Sequence, residues 1–319
     1  MRRFFALLLA AVLALSLLAG CTKSQEDAQQ QTGTSSDVSM AVVVAGTFGD
    51  RSFYDSSKEG ADRLAKDLGV QVKTIECNNV DHTQQIRNAA DAAGIVVLVG
   101  WEFYDVETVA PEYPDVHFIW VDNATSAPVA NVLNITYAQN EGSFLAGYIA
   151  AKMSQTGVVG AVGGEDTDTI NDFIVGYTQG AQYANSSIQV ETVYANTYDD
   201  PAVGKECALT LHEKKADVVF QIASKTGDGV FQAAQEKGFY AIGVDSDQKY
   251  IADDVIICSM MKQVGNSIYE AVSDYISGDT SKWGTTWVAD MATGFIGIGY
   301  GEAGATQQVP DSLKSEVEE

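Results

Sequence analysis

The chain has 319 residues, with 43 Asp and Glu against 19 Lys and Arg and a formal net charge of −24. That length predicts two domains, each able to bury its own core, and a hydrophobic share of 46% excludes both wholesale disorder and a polytopic membrane protein. The acid excess excludes functions that depend on neutralising phosphates, so nucleic acids and anionic lipid surfaces are not expected partners.

The N-terminus starts with Arg2 and Arg3, followed by an uncharged apolar run from Phe4 to Leu18. The run is shorter than the ~20 residues of a membrane-spanning helix and is placed as an export signal. Leu18-Ala19-Gly20-Cys21 resembles a bacterial lipobox, in which small residues admit the signal peptidase and the Cys21 thiol accepts diacylglycerol. The plainer alternative is a signal anchor that merely contains a cysteine. Residues 22–38 are polar, rich in Gln, Ser and Thr, and read as a flexible tether. The expected division is therefore a signal peptide at 1–20, a tether at 21–38 and a folded body from Ser39. Losing the leader removes two Arg and no acid, making the remainder more acidic still. Cys77, Cys207 and Cys258 then remain, without C-x-x-C spacing. One disulfide plus a thiol, or three buried thiols, are both open; their apolar contexts favour thiols.

From residue 39 the predicted elements alternate. An apolar strand at 40–45 precedes a helix at 56–68, a strand at 70–75, a helix at 83–92 and an apolar strand at 95–99. A helix at 104–113 and a strand at 116–121, running into Asp122, follow. Next come a strand at 130–136 and a helix at 140–153 with Phe144, Leu145, Tyr148 and Ile149 at helical spacing. A second series has strands at 158–162, 188–194, 217–221 and 240–244 and helices at 171–184, 201–214 and 227–237. Pro201 suits a first helical turn, and Asp199 and Asp200 suit the positive end of that helix dipole. A strand at 255–260, a helix at 263–277 and strands at 286–289 and 295–298 lack a third core. Apolar strands separated by helices indicate α/β architecture, with parallel sheets flanked by helices and right-handed crossovers. The expected lobes are 39–154 with 262–319, and 155–261, joined by several hinge crossovers.

In open parallel sheets ligands bind outside the carboxyl ends of the strands. The segments there run from Gly46 to Asp55, Gly100 to Tyr104, Asp122-Asn123, Gly163-Gly164, Ala223 to Gly227 and Gly243 to Gln248, with Lys262 after the 255–260 strand. Aromatic faces, carboxylates and one ammonium suit a neutral polyhydroxylated or heteroaromatic ligand. No Walker loop or G-x-G-x-x-G follows a strand, so phosphates have no cradle and no cofactor is expected. Asp245-Ser246-Asp247 lacks the rest of a calcium loop, so no metal is expected. His82, His117 and His212 share no pattern with Cys or Ser, and Asp50 alone does not make the calcium site of a nucleoside hydrolase, so an enzyme is disfavoured. Plainer roles exist for each residue. Phe53 can staple the next helix, Tyr54 and Trp101 can be surface or hinge aromatics, Asp245 and Asp247 can cap helices, and Lys262 can form a salt bridge. Ser143 to Gly147 reads as packing, with Ala146 and Gly147 letting a helix approach its sheet.

Four separated motifs carry a family resemblance: Gly49-Asp50-Arg51-Ser52-Phe53, the stretch from Glu141 to Ala151, Gly157-Val158-Val159-Gly160 with Gly163-Gly164, and Gly243 to Gln248. Together, over residues 39–298, they resemble the basic membrane protein family, lipoprotein substrate-binding components of ABC importers related to purine nucleoside receptors. The resemblance implies a two-lobed type I periplasmic-binding-protein fold holding a nucleoside between its lobes. It further implies a lipid-anchored monomer on the extracytoplasmic face of the cell membrane, with an ABC permease as partner. Carried over by position, Phe53 is one stacking wall for the base, Asp122 reads the base edge, and Asp245 and Lys262 hold the ribose hydroxyls. Asp50, Tyr54 and Trp101 complete the expected site. Tyr54 stands where the family commonly has Asn, and Ser224-Lys225 where small glycines are usual; Trp101 offers a second aromatic face. A sugar or signalling ligand feeding a sensor or another transporter is the alternative.

Overall fold

The computed structural model describes residues 37–78 and 80–318. The expected signal peptide, the lipidation site Cys21 and nearly all of the tether lie outside the described residues.

Two six-stranded sheets organise the body. The first contains β1 (Ser39–Val44), β2 (Gln71–Glu76), β3 (Ile95–Val99), β4 (His117–Val121), β5 (Val132–Tyr137) and β11 (Thr286–Ala289), in the order β11-β5-β4-β3-β1-β2, all parallel. The second contains β6 (Val158–Gly163), β7 (Gln189–Tyr194), β8 (Val218–Ile222), β9 (Tyr240–Asp245), β10 (Ile256–Lys262) and β12 (Ile296–Gly299), in the order β12-β10-β9-β8-β6-β7. Only β12 of this sheet runs antiparallel, against β10. Central strands such as β3 are buried along their whole length, as expected of strands covered on both faces. Edge strand β2 instead exposes Lys73 and Glu76, which discourages pairing with another chain. The two orders match position for position, so β4 corresponds to β9 and β5 to β10.

Helices α1 (Phe53–Leu68), α2 (His82–Ala90), α3 (Gln139–Met153), α4 (Asp168–Ala184), α5 (Pro201–Glu213), α6 (Asp228–Lys237), α7 (Val264–Ile276) and α8 (Asp311–Glu318) cover the sheets. Asp200 caps α5 by accepting from the N–H groups of Ala202 and Val203, with Pro201 in the first turn. The helix expected at 104–113 is instead a chain of short turns, Trp101–Phe103, Val106–Val109 and Ala110–Glu112. Pro111 has no N–H to continue a ladder there.

The chain crosses between sheets three times, from β5 into α3, from β10 into α7 and from β11 into β12. α3 packs on α4 and against β10 and β12, while α7 packs on α1. This redraws the expected lobes. Helix α3 and strand β12, both assigned by sequence to the first lobe, complete the second, whereas α7 and β11 return to the first. Strand β12 covers the edge that β10 would otherwise leave open.

The buried face of α3 also differs from expectation. Gly142, Ser143, Ala146, Gly147, Ile149 and Ala150 are buried, whereas Phe144, Leu145 and Tyr148 are half-buried. The small residues face another helix and not only the sheet: a Cβ on Gly147 would lie 2.0 Å from the Tyr177 carbonyl oxygen of α4. The first lobe repeats the device, since a Cβ on Gly60 of α1 would lie 2.2 Å from the Gly265 oxygen of α7. Cys77, Cys207 and Cys258 are buried free thiols, and burial pushes Cys77 up to about 12. Among the described residues no helix is long and apolar enough to cross a membrane.

Candidate functional site

Asp122 directly follows strand β4 and Asp245 ends strand β9, at corresponding edges of the two sheets. Both take left-handed backbone conformations, φ 73° and 63°, which Asp tolerates better than most side chains. Each strand therefore turns away at once and leaves its carboxylate at the sheet edge facing the other lobe. Lys262, the last residue of β10, lies between them with its ammonium 2.5 Å from Asp122 Oδ1. The same nitrogen lies 5.1 Å from the Phe53 ring centre, 4.9 Å from Tyr137 and 5.3 Å from Phe173. An unpaired buried ammonium would be costly, and here ring faces and carboxylates from both lobes compensate it. Asp245 is buried and accepts from Ser52 Oγ at 2.6 Å. Burial raises its carboxyl to about 6 against the opposing pull of Lys262 and Ser52.

The lobes touch directly across this point. Besides the Ser52–Asp245 and Lys262–Asp122 bonds, Ser224 Oγ donates to Asp50 at 2.9 Å and Gln248 Nε2 to the Arg51 carbonyl at 3.1 Å. The Arg51 guanidinium pairs with Asp228. The described conformation is thus a closed one.

Phe53, Tyr54, Trp101, Asp122, Asp245 and Lys262, six of the seven expected residues, line one inner cavity of about 80 Å³. It continues into an outer opening of about 470 Å³ that shares Tyr54, Trp101, Glu102, Tyr198 and Ser224. Together these fall in the range of about 300–1,000 Å³ usual for small-molecule sites. Trp101 is 41% exposed and forms the rim. The seventh residue, Asp50, is corrected to a capping role. Its oxygens accept from the N–H groups of Ser52, Tyr54 and Asp55 at the start of α1 and from Ser224 Oγ, and it borders only the outer opening. Asp247 is likewise engaged by the N–H groups of Lys249 and Gly301, so its plainer reading stands.

Among the lining residues that sequence reasoning did not propose, three carry aromatic or ionisable side chains. Tyr198 precedes the Asp200-Pro201 cap of α5, Phe173 sits inside α4, and Glu102 follows Trp101 after β3. Only Glu102 had a signal, its place just past a strand end. Its Oε2 is buried without a hydrogen-bond partner, and burial pushes the carboxyl up to about 7.

A larger groove of about 780 Å³ lies on the flank, between α1, the start of α7 and residues 245–253. Carboxylates including Asp55, Glu59, Asp62 and Glu302 dominate it, and among the described residues its one aromatic, Tyr250, is 68% exposed. It cannot enclose a ring as the inner cavity can.

Over residues 37–319 the chain matches the model of a family, Bmp, described as ABC transporter substrate-binding protein PnrA-like. It is 31% identical over 265 residues to Basic membrane protein A of Borreliella burgdorferi, covering 81% of this chain and 78% of that protein. It is 30% identical over 285 residues to Basic membrane protein A2 of Borrelia garinii, covering 88% and 83%. Its fold is similar to the crystal structure of an ABC transporter solute-binding protein from Aeropyrum pernix, with TM-score 0.78, 27% identity and coverage of 88% and 86%.

Proposed function

The chain belongs to the Bmp family of PnrA-like ABC transporter substrate-binding proteins, and on that premise we propose that its cleft captures a nucleoside and delivers it to the membrane permease of the transporter. The observation that carries this reading is the Lys262 cluster, in which one buried ammonium and carboxylates from both lobes meet at the edge of an aromatic-walled cavity. Asp245 and Lys262 hold the ribose hydroxyls, and Asp122, expected at the base edge, joins them at the ribose end because it is ion-paired with Lys262; vicinal hydroxyls both donate to carboxylates and accept from an ammonium. Phe53 and Tyr198 cover the faces of the base, with Trp101 at the rim. The ligand bridges both lobes, so binding favours the closed form and excludes water from these bonds. Cys21 carries the lipid anchor that keeps the protein at the extracytoplasmic membrane surface.

Thermal-shift screening followed by calorimetry against nucleosides, pentoses and hexoses tests the reading. Nucleosides are expected to raise the melting temperature and free sugars to leave it unchanged. Stabilisation by sugars alone would overturn it.

Asp245 must be ionised to accept from two hydroxyls, and its carboxyl sits at about 6. The Asp245 contribution to nucleoside affinity is therefore expected to fall below pH 6 by roughly tenfold per unit and to level off above 7. The stability of the ligand-free protein takes the opposite sign. The folded carboxyl holds its proton more tightly than an unfolded one near about 3.9, so its contribution is complete below about pH 4 and is lost as pH rises through 6. Calorimetry and melting scans of wild type and Asp245→Asn across pH 4–8 check both, because the variant removes both dependences. Wild-type affinity indifferent to pH would eliminate Asp245 as an ionised acceptor.

A further inference from the structure

We propose that Glu102 reads the edge of the base, and that the protein prefers bases carrying two adjacent N–H donors, as guanine does at N1 and N2. The inference rests on the nucleoside reading and adds the class of base. Lys262, Asp245, Phe53 and Phe173 line the inner cavity but not the outer opening, whereas Glu102, Tyr198 and Tyr54 line both. A nucleoside whose ribose lies at Lys262 therefore extends its base toward Glu102. Gly100 leaves room for the carboxylate there: it has φ 127°, and a Cβ at that position would lie 2.3 Å from Glu102 Oε2. With a side chain at residue 100 the carboxylate could not occupy its position.

That oxygen is shielded from solvent and makes no hydrogen bond, and the carboxyl is favoured in its charged form only by the residue's own N–H, against a larger effect of burial. The groups that bear on Glu102 are Glu165 and Asp122, which disfavour its charge, with Tyr54 of α1, Cys77 after β2 and Tyr198 before α5 around it. None of these five is a cation; Lys262 of the inner cavity and Lys225 of the outer opening are engaged by Asp122 and Asp199, and burial holds His82, at the same opening, toward its neutral form. A buried acceptor without a donor is a standing cost, which a ligand supplying donors removes. An ionised carboxylate only accepts. Guanine offers it two neighbouring donors, hypoxanthine one, and adenine a donor beside an acceptor that the carboxylate would repel.

Calorimetry with guanosine, inosine and adenosine on the full chain tests this. Guanosine, which differs from inosine by one amino group, is expected to bind about tenfold or more tightly, the value of one charge-assisted hydrogen bond. Glu102→Gln keeps the shape but loses the charge, and its guanosine-to-inosine ratio is expected to fall to about fivefold or less, the central value of a neutral bond. A pH series supplies a readout that a purely structural role would not move. With Glu102 titrating near about 7, the wild-type guanosine-to-adenosine ratio should rise from pH 6 to 8, whereas the Asp245 effect is common to all nucleosides and cancels. Nucleosides that bind without a guanosine preference, or a preference that survives in Glu102→Gln, would overturn the inference and leave the nucleoside reading intact. If no nucleoside binds wild type, both fall.

Discussion

Replacing Lys262 by methionine is expected to weaken nucleoside binding by roughly 30-fold to several-thousand-fold, the equivalent of about 2–5 kcal/mol for truncating one partner of a buried, hydrogen-bonded charge pair. Methionine keeps the stem of the side chain and its packing against Phe53, Tyr137 and Phe173, so the change isolates the ammonium. Two things are lost together. The ligand loses its donor, Asp122 loses its ion-pair partner, and Asp245 loses the cation that favours its charged form. Without Lys262 the Asp245 carboxyl should move above its present value of about 6, so it will be protonated over more of the neutral range. Calorimetry at pH 7, with circular dichroism to verify the fold, measures the effect. A dissociation constant within threefold of wild type would show that Lys262 only holds the hinge together. Its position makes that alternative worth testing, because it lies immediately before the crossing from β10 into α7.

The largest expected effect on stability lies at Gly180→Ala. Alanine normally favours a helix over glycine by about 1 kcal/mol, so on an isolated α4 this substitution would stabilise. Here the new Cβ would lie 1.8 Å from the carbonyl oxygen of Phe144 in α3. No rotamer change relieves a clash with backbone, and separating the helices also opens the contacts at Gly147 and Gly176, where a Cβ would meet Tyr177 and Asn140 oxygens at 2.0 and 2.3 Å. The overpacking cost therefore belongs at the upper end, about 3 kcal/mol or more, and exceeds the propensity gain by about 2 kcal/mol. That corresponds to a melting temperature lower by roughly 4–8 °C. Gly297→Ala in β12 is the control, since nothing lies within 4 Å of its Cβ position. A Gly180→Ala protein melting at or above wild type would show that the α3–α4 contact is looser than described.

These two sites differ in how far the sequence announced them. Lys262 stood out because the chain has few cations and this one follows an apolar strand, a position whose meaning depends only on local order and on where parallel sheets bind ligands. The same rule found Phe53, Tyr54, Trp101, Asp122 and Asp245, all of which line the inner cavity. Asp50 obeyed the rule equally well, yet its carboxylate is taken up by three amides of its own helix and by Ser224 of the other lobe. A strand-end position does not distinguish a carboxylate facing a ligand from one capping a helix, because both roles favour the same residue at the same place.

Phe173 and Tyr198 had no signal, since an aromatic within a helix or before a helix cap is ordinary in sequence. They matter only because the closed lobes bring α4 and the loop before α5 against α1 and the β3 loop. The lobe boundaries went the same way. Small residues in α3 and glycines in α4 are each consistent with contact to a sheet, and only their mutual fit makes them a helix pair.

The sequence by itself determined the alternating α/β architecture, two cores, the strand ends from which a site had to be built, and an acidity confined mostly to solvated surface. Those properties follow from periodicity, composition and turn chemistry, which act over a few residues. The tertiary structure alone decided which lobe owns α3 and β12, which strand-end carboxylates line the inner cavity, and that Glu102 Oε2 is buried without a hydrogen-bond partner. Each of these depends on groups distant in sequence competing for the same surface or the same hydrogen bonds, and such competition is settled only when both lobes are folded against each other.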